Sequence, residues 1–244
     1  MRLSVLALAG LLALPAAAAA QDPLPPGQLP RARFSVTPFL GMRVPYTTGN
    51  AYLFTGDQAF SIDEDRGGGA LAGVEAEARV RGPLSLLGSV AYSNSGDYLI
   101  TLRSGEGERI PLIGDTPDML MAKLAVAYRL PEPRPDNRRF HPAAFVSAGP
   151  ALVRTNWSDT DLDGSGYNHW GVNLGVHTAT TLGSPRLALH LGIEDYLTFW
   201  DTERLAAHDE ILYGQYFEDD AIVDFDYSTS NLVMLRLGLS FRFQ

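Results

Sequence analysis

The sequence predicts an all-β chain that closes into an eight-stranded antiparallel up-and-down transmembrane β-barrel. Three observations carry this prediction. Eight segments alternate apolar and polar residues with period 2, and the connections between them alternate long and short. After residue 20 no stretch approaches the ~18 consecutive apolar residues that a spanning helix needs. Strands of about 9–11 tilted residues cross a bilayer with only alternate positions apolar, so near-zero mean hydropathy is compatible with spanning.

Along the chain, Arg2 precedes an uncharged apolar run from Leu3 to Ala20 that ends Ala18-Ala19-Ala20-Gln21, the layout of an export signal over residues 1–20. Residues 21–32, with Pro23, Pro25, Pro26 and Pro30, read as an extended periplasmic tail before a barrel domain at 33–244. The eight strands are expected at about 33–46, 69–81, 84–93, 118–130, 142–153, 169–181, 186–200 and 227–243. Long connections (47–68, 94–117, 154–168, 201–226) follow the odd strands and lie on the outer side. Shorter ones, with Gly82-Pro83, Pro131–Asn137 and Gly183-Ser184-Pro185, follow the even strands. An even strand count puts both termini in the periplasm. Two segments around Gly105, Tyr98–Arg103 and Glu108–Ile113, read either as a hairpin above the membrane or as an added strand pair making ten.

The faces are legible strand by strand. In the last strand Val233, Leu235, Leu237, Leu239, Phe241 and Phe243 alternate with Met234, Arg236, Gly238, Ser240 and Arg242. In the second, Val74, Ala76, Ala78 and Val80 alternate with Glu75, Glu77, Arg79 and Arg81. A soluble β-sandwich would alternate in the same way, so two further features favour the membrane. Aromatics gather at both expected interfaces: Phe34, Tyr128, Phe145, Phe241 and Phe243 near the periplasm, and Tyr46, Tyr92, Trp170, Phe199 and Trp200 near the outside. The four long connections hold twenty acidic residues against five arginines, a net of -15, which leaves +5 for the rest of the mature chain. So acidic an outer end disfavours polyanionic partners and excludes nucleic acid, and beside lipopolysaccharide it calls for bridging divalent cations or greater reach.

The signal, the eight alternating strands, the alternating connection lengths and the aromatic final strand Leu237–Phe243 together resemble the small outer-membrane β-barrel proteins of the OmpA/OmpX type in Gram-negative bacteria. The resemblance is architectural and spans 33–243. It implies residence in the outer membrane among lipid and lipopolysaccharide, and delivery by the barrel assembly machinery. Phe241 and Phe243 would serve as the assembly signal, although Gln244 follows where these proteins usually end on the aromatic. The chain stops with its eighth strand, so no periplasmic peptidoglycan-binding domain is expected.

An eight-stranded barrel has its interior filled by side chains. The inward list is Arg43, Glu75, Glu77, Arg79, Lys123, Arg129, Glu194, Arg236 and Arg242, with His177 and His190, and its mixed signs suit a paired polar network and a plugged lumen. A two-residue turn at Gly183-Ser184 would oppose His177 to His190 and Asn173 to Glu194. Two facing imidazoles lack the third ligand of a metal site. In the third long connection Asp159, Asp161 and Asp163 followed by Gly164 match the opening of a calcium loop, but Trp170 stands where the bidentate Glu belongs. A divalent cation at the outer loops is therefore the only cofactor in question. No Gly-x-Ser-x-Gly spacing occurs, and His208-Asp209-Glu210 supplies residue types for a rim hydrolase without a nucleophile motif. The expected role is structural or surface-interacting, without catalysis. A surface protein or glycan is the candidate ligand, anchored on Tyr52, Phe54, Phe60, Tyr213, Tyr216 and Phe217. Transport through the barrel is the alternative.

Overall fold

The computed structural model describes residues 33–47, 51–56, 58–94, 97–104, 109–115, 118–130, 142–156, 167–182, 184–203, 206, 221–225 and 228–243. Eight strands form a closed antiparallel barrel in the order β1 (Phe34–Arg43), β14 (Thr229–Phe243), β12 (Ser184–Phe199), β11 (Tyr167–Leu182), β10 (Pro142–Asn156), β9 (Asp118–Arg129), β6 (Leu84–Ser93) and β5 (Gly69–Arg81). The period-2 segments are these strands, and β5 and β6 match their expected limits to the residue. The shortest, β1 and β6, have ten residues. At about 3.3 Å per residue and a tilt near 40°, ten residues project roughly 25 Å along the barrel axis, the height of a membrane belt.

Outward positions are apolar around the whole wall: Leu40 and Met42 on β1, Leu86 and Val90 on β6, Leu124 and Val126 on β9, Val176 on β11, Leu191 and Ile193 on β12, Leu237 on β14. All are exposed in the isolated chain, as lipid-facing residues must be. The ladder is interrupted at Pro38 between β1 and β14 and at Pro150 between β10 and β9, where proline offers no N–H. Gly82, in the left-handed region at φ 55°, turns the chain from β5 to β6.

The connections are more ordered than the alternation implied. A second, six-stranded sheet stands at the end of the barrel where the long connections emerge, called the outer end below for the side on which the sequence places them, built from β2 (Tyr46–Thr47), β3 (Ala51–Thr55) and β4 (Gln58–Arg66) of the first long connection, β7 (Asp97–Ser104) and β8 (Arg109–Asp115) of the second, and β13 (Ala221–Phe225) of the fourth. Its order is β13-β3-β4-β7-β8, with β2 on β4. β7 and β8 thus pair with each other outside the barrel, and the ten-strand alternative is overturned. One face of this sheet buries Ala51, Leu53, Phe60, Ile62, Leu102 and Val223. Phe60, expected as an exposed anchor, is only 4% exposed because it shares that face with Ile62, while Tyr52 and Phe54 on β3 are exposed. Tyr213, Tyr216 and Phe217 lie outside the described residues.

Candidate functional site in the barrel lumen

The strand alternation that turns leucines to lipid turns Arg43, Glu75, Lys123, His177, His190, Glu194 and Arg236 inward, all buried. Four of them form one charged layer. Lys123 Nζ lies 2.6 Å from Glu194 Oε1 and 3.4 Å from Glu75 Oε2. Arg236 Nη2 donates to Glu75 Oε2 at 2.8 Å, and its Nη1 lies 3.0 Å from Glu194 Oε1. These side chains come from β5, β9, β12 and β14, none adjacent to another except β12 and β14, so the pairs reach across the lumen. Two cations and two carboxylates leave the layer neutral, the condition under which buried charge is tolerated. Tyr196 Oη donates to Glu194 at 3.2 Å, and Asn173 Nδ2 lies 3.4 Å from the same oxygen.

The histidines join this layer by a register different from the expected one. Pairing across β11 and β12 sets His177 opposite Gly192, His190 opposite Ala179 and Asn173 opposite Tyr196, because the ladder shifts at Thr181/Leu182 beside the turn. The rings still approach diagonally, with centroids 5.4 Å apart. Arg236 Nη2 donates to His177 Nδ1 at 3.0 Å, and a guanidinium has only donors, so the ring proton of neutral His177 is assigned to Nε2. That N–H faces Ser147 Oγ at 3.0 Å. A histidine arranged this way donates to the serine and does not activate it as a nucleophile. Glycines make room for the ring: a Cβ on Gly175 would stand 2.4 Å from His177 Nε2, and one on Gly192 2.7 Å from Nδ1.

Below the layer, toward the end of the barrel that carries the short turns, Leu87, Ala125, Ala127 and Phe145 form an apolar tier. Phe145, expected in the periplasmic aromatic belt, is 3% exposed and stacks on His177 with centroids 4.6 Å apart. A second ion pair follows, Arg129 to Glu77 at 3.0 Å, with Ser85 donating to Glu77 at 2.7 Å. Above the charged layer a larger apolar tier contains Leu71, Met119, Met121, Leu232 and Met234. Arg43 Nη1 donates to Met119 Sδ at 2.8 Å there. Trp200, expected in the outer belt, is 7% exposed, packs on His169 and donates to Thr198 Oγ1 at 3.0 Å. The exposed aromatics Tyr92, Trp170 and Phe199 remain at the end with the long connections, and Tyr128 and Phe241 at the end with the short turns.

Arg79 and Arg242 sit half-buried at the mouth on the short-turn side, where Arg242 donates to Thr181 Oγ1 at 3.2 Å. Phe243 is half-buried against Phe34, with centroids 6.2 Å apart. Asp159, Asp161 and Asp163 lie outside the described residues. Among the described residues no three His, Cys, Asp or Glu side chains are grouped to hold a metal ion.

No protein-family model matches the chain, and no curated protein matches its sequence. Solved structures share its architecture. The outer membrane protein OprG from Pseudomonas aeruginosa is 11% identical, covering 87% of this chain and 96% of its own, at a TM-score of 0.50. The N-terminal β-barrel domain of Pseudomonas aeruginosa OprF is 12% identical over 87% and 98%, with a TM-score of 0.42. Neisserial surface protein A is 10% identical over 87% and 98%, with a TM-score of 0.41. The fold is that of a small outer-membrane β-barrel.

Proposed function

We propose that the protein is a bacterial outer-membrane barrel with a plugged lumen, a membrane-held stand for an acidic outer surface rather than a channel or an enzyme. The observation that carries this reading is the stacking inside the barrel. A neutral, hydrogen-bonded charged layer lies between two mainly apolar tiers, the upper one also holding the buried Arg43, so an ion would meet a tightly filled, low-dielectric constriction on either side. The lipid-facing apolar wall supports residence in the outer membrane among lipopolysaccharide, and Phe241 and Phe243 on the last strand suit recognition by the assembly machinery. The outer sheet, with Tyr52 and Phe54 exposed, is the surface for a protein or glycan partner.

Two measurements test this. Protein from the outer-membrane fraction should migrate differently on gels when unboiled and boiled, as detergent-resistant closed barrels do. Purified protein in planar bilayers should show no steady conductance, and reproducible ion-selective steps would replace this reading with transport through the barrel.

A further inference from the structure

Long connections with a net charge of -15 repel an anionic lipid surface, so a direct grip on it falls to the barrel wall at headgroup height. Val153 and Thr155 of β10 are buried in the lumen, which turns Arg154 and Asn156 outward. The outward positions below them on the same strand, Ala144, Val146, Ala148, Pro150 and Leu152, are all apolar. From Ala144 to Arg154 the strand rises roughly 25 Å, at about 3.3 Å per residue and a tilt near 40°, so Arg154 stands at the upper edge of the apolar belt. Among the described residues it is the only Lys or Arg that the barrel strands turn outward in the outer half of the wall.

Strand pairing gathers a mixed patch around it. Arg154 pairs with Leu120 on β9 and with Asn168 on β11, Leu120 pairs in turn with Tyr92 on β6, and Trp170 pairs with Leu152 one step lower. Directly paired residues share a side, so Tyr92, Leu120, Arg154 and Asn168 form one outward row, with Trp170, 67% exposed, beneath it. Arg154 Nε donates to Asn156 Oδ1 at 3.4 Å, and its two Nη groups have no partner among the described residues. The acid of the patch, Asp118, pairs with Asn156, but its carboxylate accepts a hydrogen bond from Tyr92 Oη. Because β6 and β10 flank β9 on opposite sides, that bond draws the carboxylate away from Arg154. Below the row the wall is shallow along β10, where Ala148 lies between Val126 of β9 and Leu174 of β11, both more than half exposed. A guanidinium with open donors, two neighbouring carboxamides, an interfacial indole and an apolar furrow beneath suit a phosphate ester on a lipid whose acyl chains run down the wall. We propose that Arg154 anchors a phosphate of lipopolysaccharide in the outer leaflet, with Asn156 and Asn168 as further donors and an acyl chain lying along β10. The assignment to that leaflet rests on the membrane reading above.

Native mass spectrometry of the purified barrel in detergent, titrated with bis-phosphorylated lipid A, should show a single lipid retained per chain. Removing the phosphates from the lipid, or Arg154→Ala, should each weaken retention about tenfold or more, since either change loses the charge-assisted phosphate contact. Arg154→Lys should fall between, keeping the charge without the two-pronged geometry. Ala148→Leu, which fills the furrow and leaves the charge, should weaken retention several-fold. Equal retention of dephosphorylated lipid A, or indifference to Arg154→Ala, would overturn the proposal. Arg154-dependent retention of inorganic phosphate alone would also overturn it, by giving the site to a soluble anion. The gel-mobility shift on boiling, read from the same samples, keeps two failures apart. A retained shift with no phosphate dependence defeats the lipid site alone, whereas a soluble chain with no shift defeats the membrane reading with it.

Discussion

Replacing Arg236 by methionine removes the hub of the charged layer while keeping most of the unbranched stem beside the Phe39 ring, over which the guanidinium lies at 4.9 Å. Glu75 and Glu194 lose contacts at 2.8 and 3.0 Å and are left to share Lys123, so a neutral buried layer acquires one uncompensated negative charge. Breaking a buried pair in this way costs about 3–5 kcal/mol. Adding Glu75→Gln returns the layer to neutrality with the 2.6 Å contact between Lys123 and Glu194 intact, so the double variant should regain roughly 2 kcal/mol over the single one. Equilibrium urea unfolding in lipid vesicles, followed by tryptophan fluorescence, measures both. Should Arg236→Met cost less than about 1 kcal/mol, or should Glu75→Gln add its own penalty on top, the charges are solvated and the dry layered lumen is wrong.

Three further outcomes follow from the same geometry. Asp195 points to lipid between Ile193 and Leu197, paired with Leu174 and Val233, and its buried Oδ1 has no hydrogen-bond partner, so Asp195→Leu should raise stability by about 1–2 kcal/mol in the same vesicle assay. Gly192→Ala drives a methyl to within 2.7 Å of His177 Nδ1 and 2.8 Å of Arg236 Nε and should cost about 1–3 kcal/mol, with the unboiled gel form lost at lower temperature. Leu102→Ala opens the core of the outer sheet by about 2–5 kcal/mol, and it should speed protease cleavage outside the cell while the boiling shift stays as it was.

The barrel was legible because lipid and lumen impose opposite polarity on successive residues, and β5, β6 and β14 obey that alternation with few exceptions. Where the lumen itself is apolar the signal fades. Ala143, Phe145, Ala151 and Val153 on β10 point inward, while Val146 and Pro150 of the same strand point outward, so neither face is marked by polarity and Phe145 reads as a belt residue. The outer apolar tier was hidden for the same reason, since Met119, Met121, Leu232 and Met234 look like lipid-facing residues out of phase. The charged residues of the layer could be named from alternation, but not their partners, because Lys123 and Glu194 are 71 positions apart and meet only across a closed barrel. The histidine register depended on one irregular step at Thr181/Leu182, which composition does not encode. Strands β3 and β13 have only five residues and β4 carries the acidic run Asp63-Glu64-Asp65, so they read as loop until their partners are in place.

Those partners set an order on assembly. The second sheet draws β3 and β4 from the first long connection, β7 and β8 from the second and β13 from the fourth, so no single connection can complete it. All three must be brought to the same end of the barrel before it can form. Once there, β13 clasps β3 and so ties the last connection to the first. Drawing the first, second or fourth connection away would require that shared sheet and its buried face to unzip, so the sheet is a clasp that locks the barrel's first and last connections to each other.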